Sequence, residues 1–357
     1  MGAVVASPES NVQEQHARIE ALTGLRFFAA IYVVLFHLYL RDFAAKSKSL
    51  GAQFLSHGYL AVSFFFILSG FVLTWNYADR WSAESYPRFL VARLARIYPV
   101  YLLALFIQIP FYAPRLHPWP VIAVLCMIQS WTTLPSQLPS AWNFPAWTLS
   151  IEWFFYLCFP LLLFVVTKIK RRTTFIILIA LVSLAVAGPQ AAIGGRLSWF
   201  TRHIPLPVMR LPEFLLGMLL ARSMPRAQPP SQLSINRTTS ALLLITALLL
   251  TLNLHRFVLL VECTFAAILW LLTFRESHLK RWLESRPLVL LGGASYALYI
   301  LQDPIHNWLD RWNAAYLHWP YMDQFLFPPL LVALSVIVFR YYEQPARRKI
   351  RSLAKRE

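Results

Sequence analysis

Residues 21–40 read ALTGLRFFAAIYVVLFHLYL, an almost unbroken apolar run with only two ionisable side chains, Arg26 and His37. A helix needs about 20 predominantly apolar residues to cross the hydrocarbon core of a bilayer. Residues 21–40 have that length and therefore predict a membrane-spanning α-helix. Similar runs recur along the rest of the chain.

The composition extends this interpretation to all 357 residues. Hydrophobic residues make up 58% of the chain and charged residues 14%, whereas soluble domains carry about 25% charged residues. So few charges cannot coat a globule, which excludes a soluble enzyme, a disordered protein and a coiled coil. The net charge of +17 indicates basic cytoplasmic loops rather than a nucleic-acid partner. We expect the lipid bilayer as partner and no nucleic acid.

Eleven apolar runs are possible crossings. They cover residues 21–40, 59–78, 97–113, 118–134, 147–167, 173–190, 208–222, 239–254, 257–274, 287–309 and 323–342. Basic residues cluster beside them at 80–96, 168–172, 222–237, 275–286 and from 347 onwards, and such clusters face the cytoplasm. An even number of crossings must therefore separate the first two clusters, although three runs lie between them.

We predict an all-α polytopic membrane protein with about ten transmembrane helices, one re-entrant or interfacial segment and both termini in the cytoplasm. The segment that does not cross is 118–134, because Pro118, Pro120 and Gln129 make it the weakest run. The predicted domains are a cytoplasmic N-terminal tail, a membrane domain and a basic cytoplasmic tail, at 1–18, 19–345 and 346–357.

Three ionisable side chains inside spans are candidates for function, because each costs about 2.5–3.5 kcal/mol to insert. Arg26 and His37 are eleven positions apart, so both lie on one face of a helix, about 16 Å apart along its axis. Glu152 lies in a later span at a depth similar to that of His37. We expect its carboxylate to hydrogen-bond the imidazole, fix the tautomer and raise the basicity. Snorkelling of Arg26, packing of His37 and a structural ion pair of Glu152 stay open.

Arg88, Arg93 and Arg96 precede a span on the predicted cytoplasmic side. They either anchor the helix at the membrane surface or clamp an anion, because guanidinium groups bind phosphates bidentately. With Arg26 deeper inside and the His37 pair near the outer face, they suit a phosphate-bearing donor that enters from the cytoplasm.

Other polar residues stand near the predicted outer ends of spans. Arg210 and Glu213 are three positions apart and can pair with each other. Tyr299 and Gln302 share a helix face by the same spacing. Gly70, in FFFILSGF, predicts a close contact between helices.

Six segments, in this order, resemble the acyltransferase-3 family of integral-membrane O-acyltransferases, over roughly residues 19–350. LTGLRFFAAIYVVLFH resembles the signature of the first span, with Arg26 followed by His37 after ten residues. The other five segments are GYLAVSFFFILSGF, RLARIYPVY, WTLSIEWFFYLCFP, LGGASYALYILQDP and YEQPARR. Each motif alone is weakly specific for the family, whereas the six motifs together in this order are specific.

The chain departs from the family pattern at three positions. The Arg-Arg-x-x-Arg motif of the family reads Ala92-Arg93-x-x-Arg96, with one phosphate-side charge fewer. Ser63 stands where an Asp is frequent, and Gln302 stands where a His is common. Family members fused to a periplasmic hydrolase-like domain carry a C-terminal extension, so the end at Glu357 leads us to expect the stand-alone form.

The resemblance implies transfer of an acyl group, often acetyl, to a hydroxyl of a carbohydrate such as an exopolysaccharide or O-antigen, at the bacterial cytoplasmic (inner) membrane. It implies acyl-CoA as co-substrate, and we expect no bound cofactor and no metal. His37 is then the general base or acyl relay, with Glu152 orienting it. The expected donor-binding residues are Arg26, Arg93, Arg96 and Arg88, and those for the acceptor or pocket are Arg210, Glu213, Tyr299, Gln302 and Ser69.

Two other classes of function stay open at this point. A lipid-linked sugar flippase or transporter would also have a polar interior and a basic mouth, but would need no acyl donor and would tolerate His37→Gln. The second class is a structural or assembly subunit of the membrane. The intramembrane Arg26, His37 and Glu152 argue against it, because such a subunit gains nothing from them. The identity of the acceptor, the acyl chain and the oligomeric state do not follow from the sequence.

Overall fold

The computed structural model describes residues 8–42, 49–112, 118–131, 142–169, 204–223, 232–251, 258–273 and 277–354, with residues 174, 178, 181 and 182. Every regular element among these residues is helical, which confirms the all-α class. Helices suit an apolar chain in a bilayer, because each helix satisfies its backbone N–H and C=O groups internally.

We number the helices in chain order. They are α1 Pro8–Asp42, α2 Leu50–Ser56, α3 Leu60–Tyr77, α4 Tyr86–Tyr112, α5 Pro118–Leu125, α6 Trp147–Lys168, α7 Leu211–Arg222, α8 Gln232–Thr251, α9 Val258–Leu272, α10 His278–Leu283, α11 Arg286–Gly293, α12 Ser295–Trp312, α13 Phe327–Val338 and α14 Gln344–Leu353. Short helices at Leu206–Met209 and Met322–Phe325 precede α7 and α13, and π turns at Asn313–Leu317 and Phe339–Glu343 follow α12 and α13.

Within the described ranges, four helical segments are long and apolar enough to cross a membrane. They are Glu20–Leu40, Leu60–Tyr77, Ala83–Phe111 and Phe144–Lys168. Helices α11 and α12 make a fifth segment if the bent pair is one crossing. The protein is therefore an integral membrane protein. The ten crossings and the cytoplasmic termini stay predictions, and most of the predicted run 173–190 lies outside the described residues.

Helix α5 starts the run predicted not to cross. It has eight residues, about 12 Å at 1.5 Å per residue, against a hydrocarbon core of about 30 Å. Met127 follows with a φ of 55°, in the left-handed region that non-glycine residues seldom adopt. The chain leaves the helical path here, and residues 132–134 of this run lie outside the described part.

The predicted run at 287–309 is broken by a bend, because α11 and α12 meet at an angle of 53°. The break follows Gly292 and Gly293, and glycine is a poor helix former. Gly292 also lies so close to the backbone of Thr23 that a Cβ atom would overlap the Thr23 carbonyl oxygen. The bend starts a new helix at Ser295, and the side chains of this helix enter the site described below.

Helices α3 and α7 pack closely against each other in the core. Gly70 lies against the carbonyl oxygen of Phe214, and Gly217 lies against that of Ile67. A side chain at either glycine would meet backbone rather than a movable side chain. The predicted close helix contact at Gly70 is confirmed, and other residues of α3 line the cavity described below.

Candidate active site

A cavity of about 400 Å³ lies between α1, α3, α4, α6, α12 and the C-terminal helical segment. Six of the predicted site residues line it together: Arg26, Ser69, Arg93, Arg96, Glu152 and Tyr299. Its charged lining residues in the described part of the chain are four arginines and two glutamates, namely Arg26, Arg93, Arg96, Arg347, Glu152 and Glu343. The cavity therefore carries an excess of positive charge.

Arg93 is held at the basic end of this cavity by aromatic rings. Its guanidinium carbon lies 5.6 Å from the ring centroid of Phe89 and 5.9 Å from those of Tyr77 and Tyr156. Nη2 donates to the Tyr77 hydroxyl at 3.5 Å. The side chain is only 8% exposed, and its buried Nε has no hydrogen-bond partner in the described structure. Stacked rings fix a guanidinium in place and leave its N–H edge available to an anion.

Arg26, Arg96 and Arg347 complete this basic end. None of them forms an ion pair with a carboxylate in the parts of the chain that the structure describes. Glu343 interacts electrostatically with all three, but a single carboxylate cannot balance them. Binding of an anionic ligand stabilises buried and half-buried cations that have no paired carboxylate.

Glu152 lines the cavity and accepts from two hydroxyl donors. Tyr156, one turn further along α6, donates to Oε1, and Ser69 of α3 donates to the same oxygen at 3.5 Å. Arg26 interacts electrostatically with this carboxylate. Glu152 therefore links α3 and α6 and faces the arginine of α1.

His37 pairs with Gln302 one helical turn beyond Tyr299. Gln302 Nε2 donates to the Tyr299 carbonyl at 2.7 Å, which turns its Oε1 toward His37 Nδ1 at 2.8 Å. An amide oxygen only accepts, so Nδ1 carries the proton. In the neutral imidazole, Nε2 is then the nitrogen with the lone pair.

The N-terminal end of α6 is fastened beside His37 by α12. Pro304 lacks an N–H group and leaves the Ile300 carbonyl without its helical donor, and Asn143 Nδ2 donates to that oxygen at 3.1 Å. The Asp303 carboxylate accepts from the backbone N–H of Phe144 at 3.3 Å. The Phe144 ring consequently packs edge-on at 5.6 Å from His37.

The expected hydrogen bond between His37 and Glu152 is not formed. His37 lies at the level of Phe144, eight residues ahead of Glu152, which corresponds to about 12 Å along a helix. The ends of the apolar runs predict equal depths for the two side chains, whereas α1 and α6 are offset along their axes. Glu152 faces Arg26 instead, and Gln302 takes the place beside the imidazole.

Arg88 lies apart from the other arginines of α4. It is exposed and does not line the cavity. Arg93 follows it by five positions, which is about 140° around a helix, so the two side chains point in different directions. The structure gives no support to its expected place with the donor-binding group.

Arg210 and Glu213 form the local pair that their spacing predicts. Arg210 Nη1 lies 2.9 Å from Glu213 Oε1, and Nη2 donates to Ser63 Oγ at 3.2 Å. Neither residue lines the cavity. The pair fastens α7 to α3, and its expected contact with the acceptor stays a prediction.

Tyr156, Glu343 and Arg347 belong to the site, but the sequence-based reasoning did not select them. Tyr156 could have been found because it follows Glu152 by four positions on a helix. Glu343 and Arg347 are also four positions apart, beyond the last predicted span. Burial raises the pKa of Glu343 to about 7, opposed by Arg96, Arg26 and Arg347. Burial, followed by Arg96, lowers the pKa of Arg347 to about 10.

Comparisons with known proteins give a consistent result. A family model described as "Acyltransferase domain" matches residues 19–340. The acyltransferase MdmB of Streptomyces mycarofaciens is 31% identical, over 80% of this chain and 78% of its own. The O-acetyltransferase OatA of Staphylococcus aureus is 24% identical over 93% of this chain, which spans 57% of the length of OatA. No solved structure matches.

Proposed function

The chain belongs to the acyltransferase family whose model it matches, and from that premise we propose which donor, acceptor and residues its reaction uses. As an O-acyltransferase it takes an acyl donor and a hydroxyl acceptor. We propose acyl-CoA as the donor, acetyl as the acyl group, and a carbohydrate hydroxyl as the acceptor. We also propose that the protein lies in the cytoplasmic membrane of a bacterium and works without a bound cofactor or metal.

The observation that carries the donor proposal is the excess of arginine around the cavity. Arg93 and Arg96 stand at one end without paired carboxylates in the described structure, and phosphates are the anions that guanidinium groups bind bidentately. Acyl-CoA has several phosphates at one end and its thioester at the other. Its acyl arm would extend past Arg26 and Tyr299 toward Gln302.

His37 acts in this proposal as the general base. Nε2 takes the proton of the acceptor hydroxyl while the oxygen attacks the thioester carbonyl carbon. The resulting tetrahedral intermediate breaks its C–S bond, the ester remains on the acceptor, and the CoA sulfur takes the proton from the imidazolium. Positioned proton transfer of this kind contributes about 10²- to 10⁴-fold to a rate.

Gln302 acts as a positioning residue for that base. Its amide is fixed by the Tyr299 carbonyl and accepts from His37 Nδ1, which keeps the lone pair on Nε2. When the imidazole becomes cationic, the same hydrogen bond strengthens because its donor is then charged. Glu152 does not contact the imidazole, and we assign it instead to holding Arg26, Ser69 and Tyr156 around the acyl arm.

The acceptor class rests on the family and on the name of one relative. OatA is called an O-acetyltransferase, which supports an acetyl group and an oxygen acceptor here. Mass spectrometry of surface glycans from cells with and without the protein tests this directly. We expect a glycan fraction that gains the mass of one acyl group when the protein is produced.

Variants make that experiment specific to the proposed base. His37→Ala should remove the added mass, whereas His278→Ala, which changes an exposed histidine of α10, should leave it unchanged. Both proteins should reach the membrane at wild-type amounts, checked by immunoblotting. An unchanged glycan mass with wild-type protein would refute the carbohydrate acceptor, and full acylation by His37→Ala would refute the role of the base.

A further inference from the structure

Resting on the proposed acyl-CoA donor, we infer that Arg347 on the C-terminal helix α14 binds donor phosphate and completes a three-arginine site with Arg93 and Arg96. From the sequence alone, Arg347 belongs to a basic C-terminal tail, and its charge indicates only that this tail faces the cytoplasm. In the structure, it is half-buried and lines the cavity.

The π turn before α14 explains how this residue reaches the cavity. Phe339, Glu343 and Arg347 are spaced by four positions, and all three line the cavity. Eight residues of regular α-helix drift by about 80° from the starting face. The turn at Phe339–Glu343 is a π-helix with the wider i→i+5 hydrogen bonding, which offsets that drift. The π turn therefore keeps the three side chains on one face.

Helix α14 is held against α4, which carries the other two arginines. The two helices pack together, and the Tyr342 hydroxyl donates to the Pro99 carbonyl of α4 at 3.3 Å. Arg347 interacts electrostatically with Arg96 and Arg93. Cations held together by the fold repel each other, and a multivalent anion between them removes that repulsion.

Exposure separates Arg347 from the neighbouring basic residues of its helix. Arg348 and Lys349 are exposed, as expected for residues that interact only with solvent or lipid headgroups. The carboxylates on the cavity wall in the described structure, Glu343 and Glu152, are too few for the four arginines there. An organic phosphate fits the site, and either CoA or an anionic lipid headgroup could supply it.

The test is a binding measurement on the full chain in nanodiscs of zwitterionic lipid. Acetyl-CoA and acetyl-pantetheine, which lacks the nucleotide phosphates, are titrated into wild type, Arg347→Ala, Arg347→Lys and the matched control Arg348→Ala. Loss of one charged hydrogen-bonding group predicts about 10- to 100-fold weaker acetyl-CoA binding by Arg347→Ala. We expect an intermediate affinity for Arg347→Lys, wild-type affinity for Arg348→Ala, and equal affinity of all four proteins for acetyl-pantetheine.

The outcomes separate this inference from the proposed function. Wild-type affinity of a folded Arg347→Ala for acetyl-CoA would overturn the role of Arg347 and leave the donor proposal intact. Equal weakening for both ligands would also overturn it, because the effect would not lie on the phosphates. If wild type itself fails to bind acetyl-CoA but binds vesicles enriched in anionic lipid in an Arg347-dependent way, the site is a headgroup site and both proposals fail.

Discussion

Replacing Gln302 by Met is the sharpest perturbation of the proposed base. Gln302 is 4% exposed, and Met fills a similar volume without a polar group. The change removes the amide oxygen that accepts from His37 Nδ1 at 2.8 Å. It also removes the amide nitrogen that donates to the Tyr299 carbonyl. A hydrogen bond to a charged partner contributes about 1.5–3 kcal/mol, so stabilisation of the imidazolium predicts a kcat about 10- to 150-fold lower.

The assay is thiol release from acetyl-CoA by purified protein in the presence of isolated surface glycan. Because Gln302 does not line the cavity, the KM for acetyl-CoA should not change. Gln302→Glu keeps an acceptor beside Nδ1 and should restore most of kcat. Gln344→Met, at an exposed glutamine of α14, is the control. A kcat of Gln302→Met equal to that of wild type would refute the positioning role.

Two further predictions concern the cavity charge and the helix packing. Because Glu343 has a pKa of about 7, its negative charge disappears as the pH falls from 8 to 6; acetyl-CoA should then bind several-fold more tightly, since the arginines lose their counter-charge. Glu343→Gln should bind at pH 8 as wild type does at pH 6, and a wild-type pH dependence in this variant would contradict the explanation. Gly70→Ala should lower the thermal unfolding temperature, at a cost of about 1–3 kcal/mol, because its Cβ meets the Phe214 backbone. Gly51→Ala, with open space around it, should unfold at the wild-type temperature, and equal behaviour of the two variants would count against the close contact.

Apolar run length predicted the helical class and the four segments of the described structure that are long and apolar enough to cross a membrane, because a bilayer imposes a minimum length on each helix. Local spacing was similarly informative. The ion pair of Arg210 and Glu213 follows from adjacent turns of one helix, and the close approach at Gly70 follows from the absence of a side chain. Both the ion pair and the close approach depend on only a few residues, so they can be predicted from the sequence.

The relative depth of side chains on different helices could not be predicted in the same way. Their positions near the ends of apolar runs predict that His37 and Glu152 lie at one depth, but the offset between α1 and α6 depends on contacts such as that of Asp303 with Phe144. The bend after Gly293 and the π turn before Gln344 depend on tertiary packing as well.

The contribution of Arg347 to the cavity also depends on tertiary packing. Within the acyltransferase resemblance, Ala92 leaves one arginine fewer beside Arg93 and Arg96. The structure brings a cation from a helix about 250 residues away in sequence, and no local pattern indicates that contact. Basic residues near the ends of membrane proteins are usually assigned to topology, and Arg348 shows that this assignment still suits the exposed ones.

The central claim is that His37, which lies beside Gln302 and outside the cavity lining, acts on an acyl group delivered by acyl-CoA whose phosphates bind the arginines of the cavity. The most direct test measures ester formation on isolated glycan and acetyl-CoA affinity with the same preparation of His37→Ala. We predict that this variant binds acetyl-CoA with wild-type affinity but forms ester at least about 100-fold more slowly, the loss expected for a missing general base. Ester formation at the wild-type rate, or a rate loss explained fully by weaker acetyl-CoA binding, would contradict the claim.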